Sequence, residues 1–171
     1  MIKPEEIGGV DTGWKTGSLF SNEGMKLYNL VRELKPKVIV EVGAWEGCST
    51  SYLACGVRDN GFGKVISIDI TKGAGSQLAE ELKQFVEFRC KNALEYVPKE
   101  KIDFVFEDGS HLTGFTESIA ERYKASVVFV SHDYCHRTCF AVTSEFDKVF
   151  GKPDEVFFEP PSDCGLAIKY T

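Results

Sequence analysis

Val38-Ile39-Val40-Glu41-Val42-Gly43-Ala44-Trp45-Glu46-Gly47-Cys48-Ser49-Thr50 is the most informative stretch of this chain. An apolar run carrying a single acid leads into a loop with two glycines four residues apart, and small hydroxyl residues then open a helix. This is the pattern of a buried parallel strand, a tight turn and a helix whose N-terminus faces the space above the strand end. Glycine is needed where backbone turns sharply or approaches a ligand closely. The unpaired N–H groups of a helix start favour a carboxylate or phosphate. The stretch therefore predicts a nucleotide-like ligand at the carboxyl end of the first strand.

Working outward, Met25, Leu27, Leu30, Val31 and Leu34 follow helical spacing behind Ser21 or Asn22 as cap, and Pro36 stops the helix. Strands are expected at 37–42, 64–69, 86–90, 102–106 and 127–131, with helices near 49–57, 77–85, 115–123 and 139–150 and a short helical turn at Asn92-Ala93. Two further strands, 155–158 and 165–170, flank a Pro-Pro-Ser-Asp-Cys-Gly turn and predict a closing antiparallel hairpin. Alternating strands and helices give an α/β, Rossmann-like three-layer sandwich around a mostly parallel seven-stranded sheet. Residues 1–20 read as an irregular lead-in, and 21–171 as a single domain without repeats or linkers.

Bulk properties narrow the function. A chain of 171 residues can bury a sizeable core. Its net charge of −6 disfavours non-specific nucleic-acid binding, which needs a basic face. No apolar run is long enough to span a membrane, and Met1–Glu6 carries no signal-peptide core, so a cytoplasmic location is expected. The six cysteines form no regular framework and read as reduced thiols.

In a sheet of this kind ligands bind above the carboxyl ends of the strands. Those ends carry Glu41, Gly43 and Gly47; Asp69; Asn92; Asp108 and His111; and His132 with Asp133. Asp69 follows the glycine loop at the distance where an acid accepts hydrogen bonds from ribose hydroxyls. The loop lacks the Gly-x-Gly-x-x-Gly of a nicotinamide dinucleotide site, because Trp45 occupies the second glycine position. A pyrophosphate would meet the side chains of Ala44 and Trp45, so a ligand without one suits the loop better.

Glu41–Thr50, Ile68-Asp69, Asn92-Ala93 and Phe106–His111 together resemble a class I S-adenosylmethionine-dependent methyltransferase. An Asp-Gly-x-His after strand four and His-Asp after strand five resemble the small-molecule O-methyltransferase branch that includes macrolide-sugar methyltransferases. The resemblance implies that Gly43 and Ala44 face the methionine moiety, with Glu41 near its amino group and Ser49 near its carboxylate, and that Gly47 is a further cofactor-binding residue. It implies that Asp69 holds the ribose hydroxyls, that Asn92 and Ala93 border the adenine, and that Ile70 and Asp108 are also among the cofactor-binding residues. It further implies Mg²⁺ held by Asp108 and Asp133, and His111 as general base toward a small hydroxylated acceptor. A hard ion suits oxygen ligands and would lower the pKa of an acceptor hydroxyl.

Other readings of the same residues stand beside this one. Asp108-Gly109 also reads as a plain turn, and His111 as a loop residue. His132, Cys135, His136 and Cys139 offer zinc-type donors but lack the two separated pairs of a structural zinc site. Ser131-His132-Asp133 is not read as a catalytic triad, because neighbours on a strand point to opposite faces. The rival functions are an adenosyl-binding regulatory protein and a nicotinamide-dependent oxidoreductase. With so little chain beyond the minimal fold, any cover for the acceptor must come from residues 1–20, the 109–114 loop or a second copy of the chain.

Overall fold

The computed structural model describes residues 1–96, 98–162 and 164–171. Seven strands form one sheet: β1 (Val38–Val42), β2 (Lys64–Asp69), β3 (Val86–Cys90), β4 (Phe104–Glu107), β5 (Val128–Tyr134), β6 (Glu155–Phe157) and β7 (Gly165–Tyr170). Their spatial order is β3-β2-β1-β4-β5-β7-β6, with β6 and β7 antiparallel to their neighbours and the remaining pairs parallel. The expected sheet and its closing hairpin are present. Asp163, part of the turn expected from the sequence, lies outside the described residues.

Side-chain alternation along the central strands builds two cores. Ile39, Val65, Phe104, Phe106, Val128 and Ile168 face α1 (Ser21–Leu34) and α2 (Cys48–Asn60). Val40, Val42, Ile66, Val105 and Phe129 face α3 (Phe115–Arg122) and α4 (Phe140–Phe150). Both faces of the sheet are covered, as a parallel sheet with apolar strands requires. Among the described residues no helix is long and apolar enough to cross a membrane.

Three local expectations differ. The helix expected at 77–85 is a turn followed by a 3₁₀ segment, Glu80–Phe85, packed beneath α2 through Leu82. Ser21 and Asn22 lie inside the first turn of α1 rather than at its cap position, although Asn22 Oδ1 accepts from Glu23 N at 2.9 Å. Phe20 holds the cap position, and the Glu23 carboxylate accepts its N–H at 2.9 Å while Ser21 Oγ donates to Asp11. The first twenty residues contain 3₁₀ turns at Pro4–Glu6 and Val10–Thr12 and are tied to α2, since Tyr52 Oη and Cys48 Sγ both donate to the Gly8 carbonyl.

Strand order reverses between β1 and β4, so the crevice opens above Val42 and Glu107, which are register partners.

Candidate active site

The glycine loop is held by backbone constraints. Gly43 has φ +91°, and a Cβ there would lie 2.0 Å from the Asp108 carbonyl oxygen, so the chain segments leaving β1 and β4 nearly touch. Gly47 has φ +102°, and a Cβ there would lie 3.0 Å from the Gly75 Cα. Asp69, at the end of β2, draws the loop over: Oδ2 accepts from Ala44 N and Trp45 N, each at 3.0 Å, and Oδ1 accepts from Thr71 N. Trp45, at φ +46°, stands 57% exposed at the rim.

Two cavities meet at this crevice. The larger, about 620 Å³, is bounded by Ala44, Trp45 and Ser49 below, by Thr16–Phe20 above, and by Asp108, His111, His132 and Asp133 on its far wall. The smaller, about 150 Å³, is bounded by Ile70, Asn92, Ala93, Ser110 and Phe115. Gly43, Asp69 and Gly109 border both. Residues 16–20 and the loop carrying His111, two of the three sources of cover expected from the sequence, both border the larger cavity. Glu41 and Gly47 border neither cavity.

Glu41 lies beneath the loop, fully buried, and its carboxyl accepts from Ser49 Oγ and Thr50 Oγ1 at 2.6 Å and from Ser67 Oγ at 2.5 Å. Burial pushes it up to about 7, with the three hydroxyls offsetting only part of that cost. Ser49 therefore has its hydroxyl on Glu41 while its residue borders the larger cavity. Asn92 caps its own turn, Oδ1 accepting from Leu94 N at 3.0 Å.

The far wall gathers what the sequence placed at the ends of β4 and β5. His111 Nε2 lies 2.6 Å from Asp133 Oδ2. His132 Nδ1 lies 3.2 Å from Asp108 Oδ1 and 3.4 Å from Asp133 Oδ2. The expectation that His132 and Asp133 point to opposite faces fails here for a structural reason. The β5–β7 register shifts between Ser131 and Tyr134, and Asp133 takes φ +57°, which turns it to the same side as His132. Ser131 does point away, its Oγ donating to Glu107 at 2.8 Å.

Charge in this wall is unevenly held. Burial raises Asp108, with His132 compensating in part. Burial works against the charged form of His132 too, but Asp108 and Asp133 more than reverse this and lift the imidazole well above its ordinary range. Burial also opposes ionisation of Asp133, yet the hydrogen bond and charge of His132 hold it at about 2.

Two contributors, Glu23 and Cys164, escaped the sequence reading, and Cys139 was weighed there only as a zinc-type donor. Glu23, 1% exposed, reaches His132 Nε2 at 3.4 Å from the far side, and Cys164 Sγ stands 3.4 Å from the same nitrogen. Cys139 forms a group with His111 and Asp133 in which one ligand atom from each lies within 4.8 Å of the others. Only Glu23 had a signal, an acid at the third position of a helix, and that signal reads as an ordinary cap.

The strand order, the loop held by an acid at the end of β2, and the polar wall above β4 and β5 define a class I methyltransferase fold. Residues 40–134, more than half of the chain, match the family model described as a methyltransferase domain, and the chain belongs to that family of S-adenosylmethionine-dependent methyltransferases. None of the curated proteins matches the sequence significantly. Among solved structures, the SAH-bound methyltransferase PaMTH1 of Podospora anserina is 15% identical with a TM-score of 0.70, covering 91% of this chain and 80% of its own. The Bacillus cereus O-methyltransferase in complex with SAH is 17% identical, with a TM-score of 0.70 and coverage of 93% and 84%. TomG of Streptomyces achromogenes, an O-methyltransferase of tomaymycin synthesis in complex with SAM, is 15% identical, with a TM-score of 0.68 and coverage of 98% of both chains. At these identities the likeness is one of fold.

Proposed function

We propose that the protein transfers the methyl group of S-adenosylmethionine to a hydroxyl oxygen of a small acceptor, with His111 as general base. The observation that carries this reading is the 2.6 Å contact between His111 Nε2 and Asp133 at the wall of a cavity that also reaches Asp69. With its Nε2 proton given to Asp133, the imidazole keeps Nδ1 free to accept a proton. Asp133 both orients the ring and stabilises the cation formed when the proton arrives.

The adenosyl ligand fits the paired cavities. Adenine lies in the smaller one between Ile70, Asn92, Ala93 and Phe115; the ribose lies at Asp69, which both cavities share; and the methionine moiety runs past Gly43 and Ala44 toward Ser49. Glu41 acts from beneath by holding Ser49 rather than by lining the cavity. The acceptor occupies the rest of the larger cavity, under residues 16–20. Methyl transfer is a displacement at a sulfonium carbon, so the chain contributes alignment and proton removal.

A divalent cation at Asp108 and Asp133 belongs to the same reading, and both carboxylates face the larger cavity. When bound, such an ion acidifies the acceptor hydroxyl and gathers its oxygens. A donor set with His132 Nδ1 between the two acids fits a divalent ion, though it is not the all-oxygen set that Mg²⁺ prefers.

The test combines calorimetry with S-adenosylmethionine and a methyl-transfer screen over hydroxylated small molecules. His111→Ala should lower kcat by about 10²- to 10⁴-fold and leave cofactor affinity within about threefold. Full turnover in that variant would remove the base from the mechanism, and absence of binding heat would sink the cofactor assignment.

A further inference from the structure

The cation position has a feature that bears on which cation it takes. His132 is 8% exposed, and its two nitrogens face different partners. On one side Nε2 meets Glu23 Oε1. That carboxylate is itself fixed, with Oε1 accepting from Ser162 Oγ at 2.7 Å and Oε2 from Phe20 N at 2.9 Å. A buried carboxylate in this position takes the Nε2 proton and sets the tautomer. The Nδ1 lone pair is then directed between Asp108 and Asp133, and the three ligand atoms lie within 4.8 Å of one another. A proton on Nδ1 points at one of those oxygens; a metal ion bonds all three atoms at once.

The neighbouring donors are nitrogen and sulfur. Asp133 also belongs to the group with His111 Nε2 and Cys139 Sγ. Mg²⁺ selects oxygen donors in octahedral array and would leave the imidazole unused. Imidazole with carboxylates suits the borderline divalent ions Mn²⁺, Fe²⁺, Co²⁺ and Zn²⁺.

Resting on the methyltransferase reading and narrowing it, we propose that Asp108, His132 Nδ1 and Asp133 form a site for a borderline divalent transition-metal ion, with Glu23 as the positioning residue for His132. The carboxylate–imidazole–metal arrangement explains why Glu23, remote from the cavity, is buried with both oxygens committed.

Co²⁺ titrated into the chelator-stripped full chain, without acceptor, should give visible absorption of nitrogen-ligated cobalt. Displacement by Mg²⁺ should need an excess on the order of 10³-fold or more. His132→Asp should lower that Co²⁺-over-Mg²⁺ preference by about 10- to 100-fold and change the spectrum. Any nitrogen- or oxygen-ligated site favours Co²⁺ to some degree, so the change in preference between the two proteins is decisive. Glu23→Gln leaves the three ligands in place and should weaken Co²⁺ by about tenfold. It also serves if His132→Asp does not fold. An unchanged preference and spectrum in His132→Asp, an unchanged affinity in Glu23→Gln, or no Co²⁺ uptake by the wild-type chain would each overturn the assignment. Calorimetry with S-adenosylmethionine on the same samples separates the failures. Cofactor heat without Co²⁺ binding sinks the metal site alone, and no cofactor heat sinks the methyltransferase reading beneath it.

Discussion

Glu107→Gln should make the protein more stable, and increasingly so as the pH rises. Glu107 ends β4 opposite its register partner Ser131 and is 2% exposed. Burial pushes its carboxyl from the ordinary 4.5 up to about 7, with Ser131 Oγ, Gly109 N–H and Thr116 Oγ1 offsetting the cost only in part. Between those two values the native chain holds a proton that the unfolded chain has released, so stability falls as pH rises through this window. At about 1.36 kcal/mol per pH unit, a rise of about 2.5 units removes on the order of 3 kcal/mol in total. For a chain of this length that corresponds to about 8 °C in Tm. Glutamine carries no charge, can accept from Gly109 N–H, and can donate to the two hydroxyls. Urea titrations at about pH 5.5 and about pH 8 should give a variant-minus-wild-type stability difference about 2 kcal/mol larger at the higher pH. Glu41 titrates in both proteins and cancels. An equal difference at the two pH values would refute the claim that Glu107 is folded with its proton on.

The remaining expectations concern the crevice. Gly43→Ala places a methyl group 2.0 Å from the Asp108 carbonyl at a φ of +91°, so it should cost about 3 kcal/mol or more and abolish cofactor binding, read by thermal melting and calorimetry. Tyr123→Phe removes a hydroxyl that donates to the Ala93 carbonyl at 2.7 Å and to that of Tyr96. A loss of about 1–2 kcal/mol and a rise of about threefold or more in KM for S-adenosylmethionine are expected, with kcat little changed. Asp69→Ala frees the three N–H groups that the carboxylate gathers and should weaken cofactor binding by about tenfold or more, with about 1–2 kcal/mol lost from stability.

What was legible followed from periodicity. The apolar runs of β1, β4 and β5 alternate with helical spacing, and from these the sheet, its hairpin and the acids at the strand ends could all be placed. What was not legible depends on contacts distant in sequence. Glu41 reads as a ligand-side acid and Glu107 carries no signal of its own, yet each is enclosed by a hydroxyl from its register partner, Ser67 and Ser131, and register across parallel strands leaves no mark in the local pattern. The irregularity of β5 has no glycine to announce it, so strand alternation assigned His132 and Asp133 to opposite faces. Glu23 lies more than a hundred residues from His132, and its role at a helix start conceals the second task. The approach of Gly47 to the Gly75 backbone, which a Cβ at Gly47 would obstruct, likewise has no local signal.

The balance of charge at this end of the sheet constrains what can enter. Asp69, Asp108 and Asp133 border the larger cavity, and among its described residues there is no lysine or arginine; histidines are the only basic groups. Glu23 adds a further buried acid behind His132. These acids are partnered by His111, His132 and backbone N–H groups, but negative charge in excess of those partners is costly in a partly enclosed site, because the low local dielectric strengthens repulsion as well as attraction. The site is therefore suited to ligands that bring positive charge. The sulfonium of S-adenosylmethionine does so and loses that charge when the methyl group leaves, which weakens the hold on the spent cofactor. On the proposed reading a divalent cation would do so permanently, held by the carboxylates of Asp108 and Asp133. On the same reading the acceptor hydroxyl meets histidines rather than lysine or arginine among the described residues of the cavity, which suits a neutral hydroxylated molecule held by alignment more than by charge.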